Sequence, residues 1–158
     1  MTISRTRHDR PVRRTLFTVD EANASLPLVR AIVADLKELA REITERRQRL
    51  AVLMCDEGRS PHPFYRDELL QIEKDVEHDS FRLREYAAEL RALGVESSSD
   101  YDGTVDFPGM LDGRKVFFCW QLGEPQVSYW REPDRAERHL LVRGGSPARG
   151  LGGDVNQN

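Results

Sequence analysis

A chain of 158 residues with two cysteines and four histidines offers few groups for covalent or metal chemistry. Cys119 is the one cysteine near other polar candidates, and a thiol becomes a nucleophile only when a base or positive neighbour lowers its pKa. The strand pairing derived below sets Asp106 opposite it, and a carboxylate acts in the other direction. No catalytic residue is therefore assigned. His8, His62, His78 and His139 are never four apart, so no helical metal pair exists. A metal held by His78 with Glu42 or Glu73 is the only geometry worth naming, and a solvated surface explains these residues more simply. No metal and no cofactor is assigned. A phosphate loop, a dinucleotide fingerprint, a serine elbow and an HExxH helix are all missing.

What remains is a ligand-type constellation. Asp106, Cys119, Gln121, Glu124 and Trp130, with Ser128, combine polar groups with an aromatic stacking surface, which suits a small-ligand pocket. The plainer alternatives are the ordinary outer face of a sheet and a seam between two copies.

These residues need strands to bring them together. After Gly94 the apolar period becomes two, and Thr104–Phe107, Arg114–Leu122 and Val127–Arg131 read as strands. Asp112-Gly113 is a two-residue hairpin turn, since both positions tolerate positive φ. If Leu111 opposes Arg114, then Phe107 opposes Phe118, Asp106 opposes Cys119 and Val105 opposes Trp120. Gly123-Glu124-Pro125-Gln126 forms a second turn. If Leu122 opposes Val127, then Trp120 opposes Tyr129 and Cys119 opposes Trp130. One face is then apolar and covers the helices, with Val105, Phe107, Val116, Phe118, Trp120, Leu122, Val127 and Tyr129. The other carries Asp106, Cys119, Gln121, Ser128 and Trp130 beside Phe117.

Ahead of the sheet lie two long helices. Thr18 and Glu21 form a capping box, with Phe17 in the staple position. Apolar residues then recur every three or four positions, from Leu26 through Leu36, Ile43 and Leu50 to Met54. Pro27 permits a kink in the early turns. Glu42 precedes Arg46 by four and Glu45 precedes Arg49 by four, each pair contributing roughly 0.3 kcal/mol. Gly58, Ser60, Pro61 and Pro63 break the helix. A second apolar repeat runs from near Phe64 to Leu93, with Gly94 as its stop. Asp79 interrupts that repeat, and a carboxylate there requires a partner, with Arg41, Arg46 and Arg47 as candidates. It reads as an ion pair that sets helix register or assembly state.

The reading is therefore an α+β fold, a long antiparallel helical hairpin followed by a small three-stranded antiparallel β-meander. Residues 1–14 read as a disordered basic arm. Residues 15–142 read as one domain, with helices at about 18–56 and 64–93 and a sheet at about 104–131. Residues 143–158 read as a flexible Gly-rich tail. A first helix of about 35 residues is roughly 50 Å long, while a compact chain of this size has a radius of gyration of about 15 Å. Part of the hairpin must project, leaving apolar surface around Leu36, Ile43, Leu50 and Asp79 for a partner.

Charge sharpens the picture of partners. Charged residues make up 32% of the chain, and its net charge is −3. Residues 1–14 hold five arginines against Asp9, a local +4, which leaves −7 for the rest. An acidic body argues against a nucleic-acid footprint, and the arm alone would give weak, salt-sensitive binding. Arg13-Arg14 is not followed by an apolar h-region. No apolar stretch of eighteen residues occurs, so no membrane partner is expected. Two cysteines without a CxxC pair fit neither a disulfide framework nor a zinc site. The expected location is the cytoplasm.

The run Val105-Asp106-Phe107-Pro108, Asp112-Gly113-Arg114, Cys119-Trp120-Gln121-Leu122-Gly123-Glu124-Pro125 and Tyr129-Trp130 is distinctive, as is Phe17-Thr18-Val19-Asp20-Glu21-Ala22-Asn23. Together they resemble the bacterial family known as domain of unknown function 2203, over roughly residues 16–142. The resemblance implies long helices plus a small sheet and brings no assigned activity. It also implies a histidine after the Tyr-Trp pair, where this chain has Arg131. Packing and turns account for Trp120, Phe107, Asp112-Gly113, Gly123 and Pro125. They do not require Asp106, Cys119, Gln121 and Glu124, which are the best candidates for function.

Two functions follow as expectations. The first is a non-catalytic interaction or assembly protein, a homodimer or a protein-partner complex built through the hairpin as a coiled-coil-like arrangement. The second is a small-ligand- or metal-binding protein, with an enzyme as one form of it, using the mixed sheet face.

Overall fold

In the computed structural model, which describes residues 16–56 and 63–142, helix α1 (Val19–Asp56) begins where the capping pattern places it. The Glu21 N–H donates to Thr18 Oγ1 at 3.1 Å. The basic arm, the loop at 57–62 with His62, and the Gly-rich tail lie outside the described residues. Pro27 sits exposed within α1 without ending it. Helix α2 (Pro63–Ala92) returns antiparallel to α1 and stops at Gly94, whose φ of 84° suits glycine. There the Val95 N–H reaches back to the Leu90 carbonyl at 3.0 Å, closing the helix end and burying Val95.

The sheet is a five-stranded antiparallel meander in chain order. Its strands are β1 (Glu96–Ser97), β2 (Thr104–Leu111), β3 (Arg114–Gln121), β4 (Tyr129–Arg131) and β5 (His139–Leu140). The expected three strands gain two edges, β1 and β5. Each is two residues long, too short to display a period of two.

The β2–β3 register is the expected one, including Asp106↔Cys119, Phe107↔Phe118 and Val105↔Trp120. Asp112 and Gly113, at φ 51° and 77°, make the turn that closes it. The β3–β4 register differs by one residue from expectation: Cys119 pairs with Tyr129, Phe118 with Trp130 and Phe117 with Arg131. The cause lies in α1. Asn23 Oδ1 accepts the Val127 N–H at 2.8 Å, so Val127 leaves the ladder and drops into the core. The second turn is thus longer than a four-residue turn, and a slip of one residue exchanges the faces of everything after it.

The core lies between the apolar sheet face and the first half of the hairpin. Leu26, Val29, Val33 and Leu36 of α1 and Ala87 and Leu90 of α2 meet Val105, Phe107, Phe118 and Trp120. Burying each large side chain contributes about 1.5–3 kcal/mol. Phe17 ties the start of α1 to the sheet. Its ring meets Phe107 edge-on at 5.2 Å, and its N–H donates to the Pro108 carbonyl at 2.7 Å. Gly109 permits this approach, since a Cβ there would lie 2.6 Å from the Phe17 carbonyl oxygen and collide with the Phe118 ring.

Among the described residues, the helices beyond the sheet have only each other. Leu39, Ile43 and Leu69 are buried in their seam, and Leu50 is half-buried. Asp79 is only 7% exposed and pairs with Arg46, with Arg82 at 3.7 Å and His78 Nδ1 at 3.6 Å. Of the three candidate arginines it is Arg46, while Arg41 serves Glu38 and Glu45. Glu42 and Arg46 stand 3.8 Å apart as expected, whereas Arg49 turns across the seam to Glu68 at 2.5 Å.

Candidate functional site

The outer sheet face brings together Asp106 from β2, Phe117 and Cys119 from β3, and Tyr129 and Arg131 from β4. Alternation along each strand puts these five on one side. Trp130, expected here, faces the core side instead. It packs against the hydrophobic cluster and stacks on its cross-strand partner His139 at 4.8 Å between ring centres. The one-residue slip is the reason, and it delivers Tyr129 and Arg131 in exchange.

Arg131 organises the face. Its Nη2 donates to Asp106 Oδ2 at 2.6 Å and its Nε to Oδ1 at 3.4 Å, a two-point clamp. Its Nη1 donates to the carbonyls of Glu132, Pro133 and Arg135 at 3.1–3.4 Å. The guanidinium lies 4.8 Å above the Phe117 ring. Hydrogen bonding to Asp106 raises the Arg131 pKa further above its ordinary range, so it is always charged.

A second pair lies alongside. Arg138 Nη2 donates to both Glu124 oxygens at 2.9 and 3.0 Å, and its guanidinium rests 4.2 Å over the Tyr129 ring. Glu124 Oε2 also accepts the Gln121 N–H at 2.9 Å, which folds the turn after β3 back on itself. The Gln121 side chain is exposed, so of this residue only the backbone joins the cluster. The Glu124 carbonyl accepts the indole N–H of Trp120 at 2.9 Å, satisfying the one polar atom of a fully buried ring.

Cys119 lies among these groups at 1% exposure, with its Sγ 3.6 Å from the Phe117 carbonyl. Burial first, and then Asp106, push its thiol up to about 12, against a smaller pull from Arg131 and Arg138. At neutral pH it is a protonated, shielded thiol. Asp106 and Glu124 are held as paired carboxylates, and no third His, Cys, Asp or Glu among the described residues joins them to hold a metal. The cluster seals one face of the sheet with two arginine–carboxylate clamps, each stacked on an aromatic ring.

Sequence reasoning brought Asp106 and Cys119 together and placed Glu124 nearby. It missed Arg131 and Arg138 as the organising pair. Arg131 carried a signal, since a charged residue occupies the place where the resemblance implies histidine. Arg138 sits in the polar stretch before a two-residue strand and carried none.

A family model described as an uncharacterized conserved protein, DUF2203, matches residues 15–139. The chain belongs to the DUF2203 family. No curated protein and no solved structure matches it. In this DUF2203 chain the matched span takes in both helices, strands β1 to β4 and both arginine clamps. No helix among its described residues is long and apolar enough to cross a membrane.

Proposed function

We propose that the chain is a non-catalytic assembly protein whose helical hairpin pairs with that of a second copy. The observation that carries this reading is the uncovered flank of the distal hairpin. Helix α1 has 38 residues, about 57 Å of helix at 1.5 Å per residue. The sheet covers its first half alone. Further out, Leu50, Leu53, Ile72 and Val76 stay partly exposed in the two-helix seam. Val52, Met54, Leu70 and Phe81 are exposed by 48–66%. Two hairpins laid face to face form a four-helix arrangement that covers such a stripe. Leu36 and Ile43 are already buried within the chain, so they support the hairpin from inside, while Leu50 and its neighbours supply contact. The Asp79–Arg46 pair restricts the alignments in which no charge is stranded.

Free Cys55 and Cys119 suit a reducing cytoplasm. What weighs against a ligand site on the outer sheet face is that its charges already pair within the chain, Asp106 with Arg131 and Glu124 with Arg138. Size-exclusion chromatography with light scattering at micromolar concentration tests the assembly. The expected mass is twice the 18.2 kDa of the chain. The pair Val52→Glu and Leu70→Glu, both at exposed positions, should return a folded monomer. A wild-type protein that runs only as a monomer refutes the reading.

A further inference from the structure

Strand β3 is longer than its cover. β2 pairs with all of Arg114–Gln121, whereas β4 pairs only with residues 117–119. The chain turns away after Arg131 for two reasons. Pro133 has no N–H to give a ladder, and the Arg131 guanidinium gathers the carbonyls of the following turn.

Lys115 is left on an open edge. Closure of a two-residue hairpin at Leu111↔Arg114 makes 114 and 116 the residues bonded to β2. The N–H and C=O of Lys115 therefore point away from β2. Among the described residues nothing pairs with them, and its ammonium has no acidic partner. A cavity of about 430 Å³ lies beside this edge, with Val116, Trp130 and Leu141 in its apolar wall and Asp112, Arg114, Glu132 and Asp134 also lining it.

We infer that this edge binds an extended peptide by strand addition, and that the peptide reads apolar–acidic–apolar. An added strand pairs its backbone with Lys115 and alternates its side chains. The residue directly opposite Lys115 shares the outer face with that ammonium, so a carboxylate belongs there. The residues on either side point to the other face, into the wall formed by Val116 and Trp130. Along that wall the carboxylates of Asp112, Glu132 and Asp134 outnumber the guanidinium of Arg114, which disfavours further negative charge at the flanking positions and leaves them to apolar side chains. This site is separate from the hairpin flank and stands or falls independently of self-association.

The test uses the full chain, isotopically labelled, and two synthetic pentapeptides, acetyl-Ser-Val-Glu-Val-Ser-amide and its Val-Lys-Val counterpart. The glutamate peptide should shift the Lys115 and Val116 amide signals, slow hydrogen exchange at the Lys115 N–H, and bind about fourfold more tightly than the lysine peptide. Lys115→Glu, at an exposed position, should keep the fold and reverse the preference. Three results would overturn the inference. One is an absence of perturbation at Lys115 with millimolar peptide. Another is a preference that survives Lys115→Glu. The third is a Lys115 amide already protected without peptide: protection that grows with protein concentration assigns the edge to a second copy, and protection independent of it assigns the edge to this chain's own residues.

Discussion

Replacing Asp106 with Asn tests whether the outer-face cluster is one coupled unit. The substitution keeps shape and removes charge, so Arg131 loses a two-point clamp made at 2.6 and 3.4 Å. Hydrogen bonds to charged groups contribute about 1.5–3 kcal/mol. The side chains of Asp106 and Arg131 are 17% and 23% exposed, which places the pair between an exposed bridge and a buried one. Exposed bridges contribute about 0.2–1 kcal/mol, and breaking a buried one costs about 3–5 kcal/mol. Arg131 also keeps three backbone carbonyls after the change, so its charge is not stranded. These bounds give a loss of about 2 kcal/mol, or a fall in Tm of about 4–8 °C for a chain of this size. Arg131→Ala should cost about 3 kcal/mol, because the stack on Phe117 and the tie to the 132–135 turn go with it. Urea unfolding of both single variants and the double variant isolates the shared part, expected at about 1.5 kcal/mol. A coupling below about 0.5 kcal/mol would mean that the clamp is an ordinary surface bridge, and the account of a sealed face would fail.

Cys119 supplies an internal comparison, because Cys55 is exposed. Iodoacetamide at pH 8 should label Cys55 alone in native protein and both residues in urea; labelling of native Cys119 would contradict its burial. Its raised pKa also has a signed consequence. The unfolded thiol ionises near 9 and the folded one near 12, so stability is complete below pH 9 and falls as pH rises toward 12. Cys119→Ala should flatten that fall relative to wild type, and parallel curves would refute it. In the hairpin, Arg46→Ala should cost about 1–3 kcal/mol because Asp79 loses its nearest cation while Arg82 stays 3.7 Å away. Asp79→Leu should be neutral or stabilising, and chemical denaturation that finds the reverse order would remove the register role given to this pair.

Local signals carried much of the fold. The capping box at Thr18 and Glu21, the three-and-four spacing of α1 and α2, and the Gly94 stop are each decided within a few residues. Asp112-Gly113 likewise sets all eight β2–β3 pairs from the turn outward. The β3–β4 register escaped because its deciding contact, Asn23 with Val127, joins residues far apart in the chain. Turn chemistry at 123–126 cannot report it. For the site, Asp106 and Cys119 were readable from the hairpin alone. Arg131 was not, because its face depends on the register that Asn23 decides.

That hydrogen bond between Asn23 and Val127 orders events in time as well as in space. The two residues are 104 positions apart, so at a synthesis rate of about 5–20 residues per second the asparagine waits roughly 5–20 s for its partner to be made. The template is therefore made before the strands it aligns, and β4 and β5 can take their alignment from it as they emerge. A fragment lacking the opening turns of α1 would keep the hairpin and lose the choice between two alignments, presenting Trp130 where Tyr129 belongs.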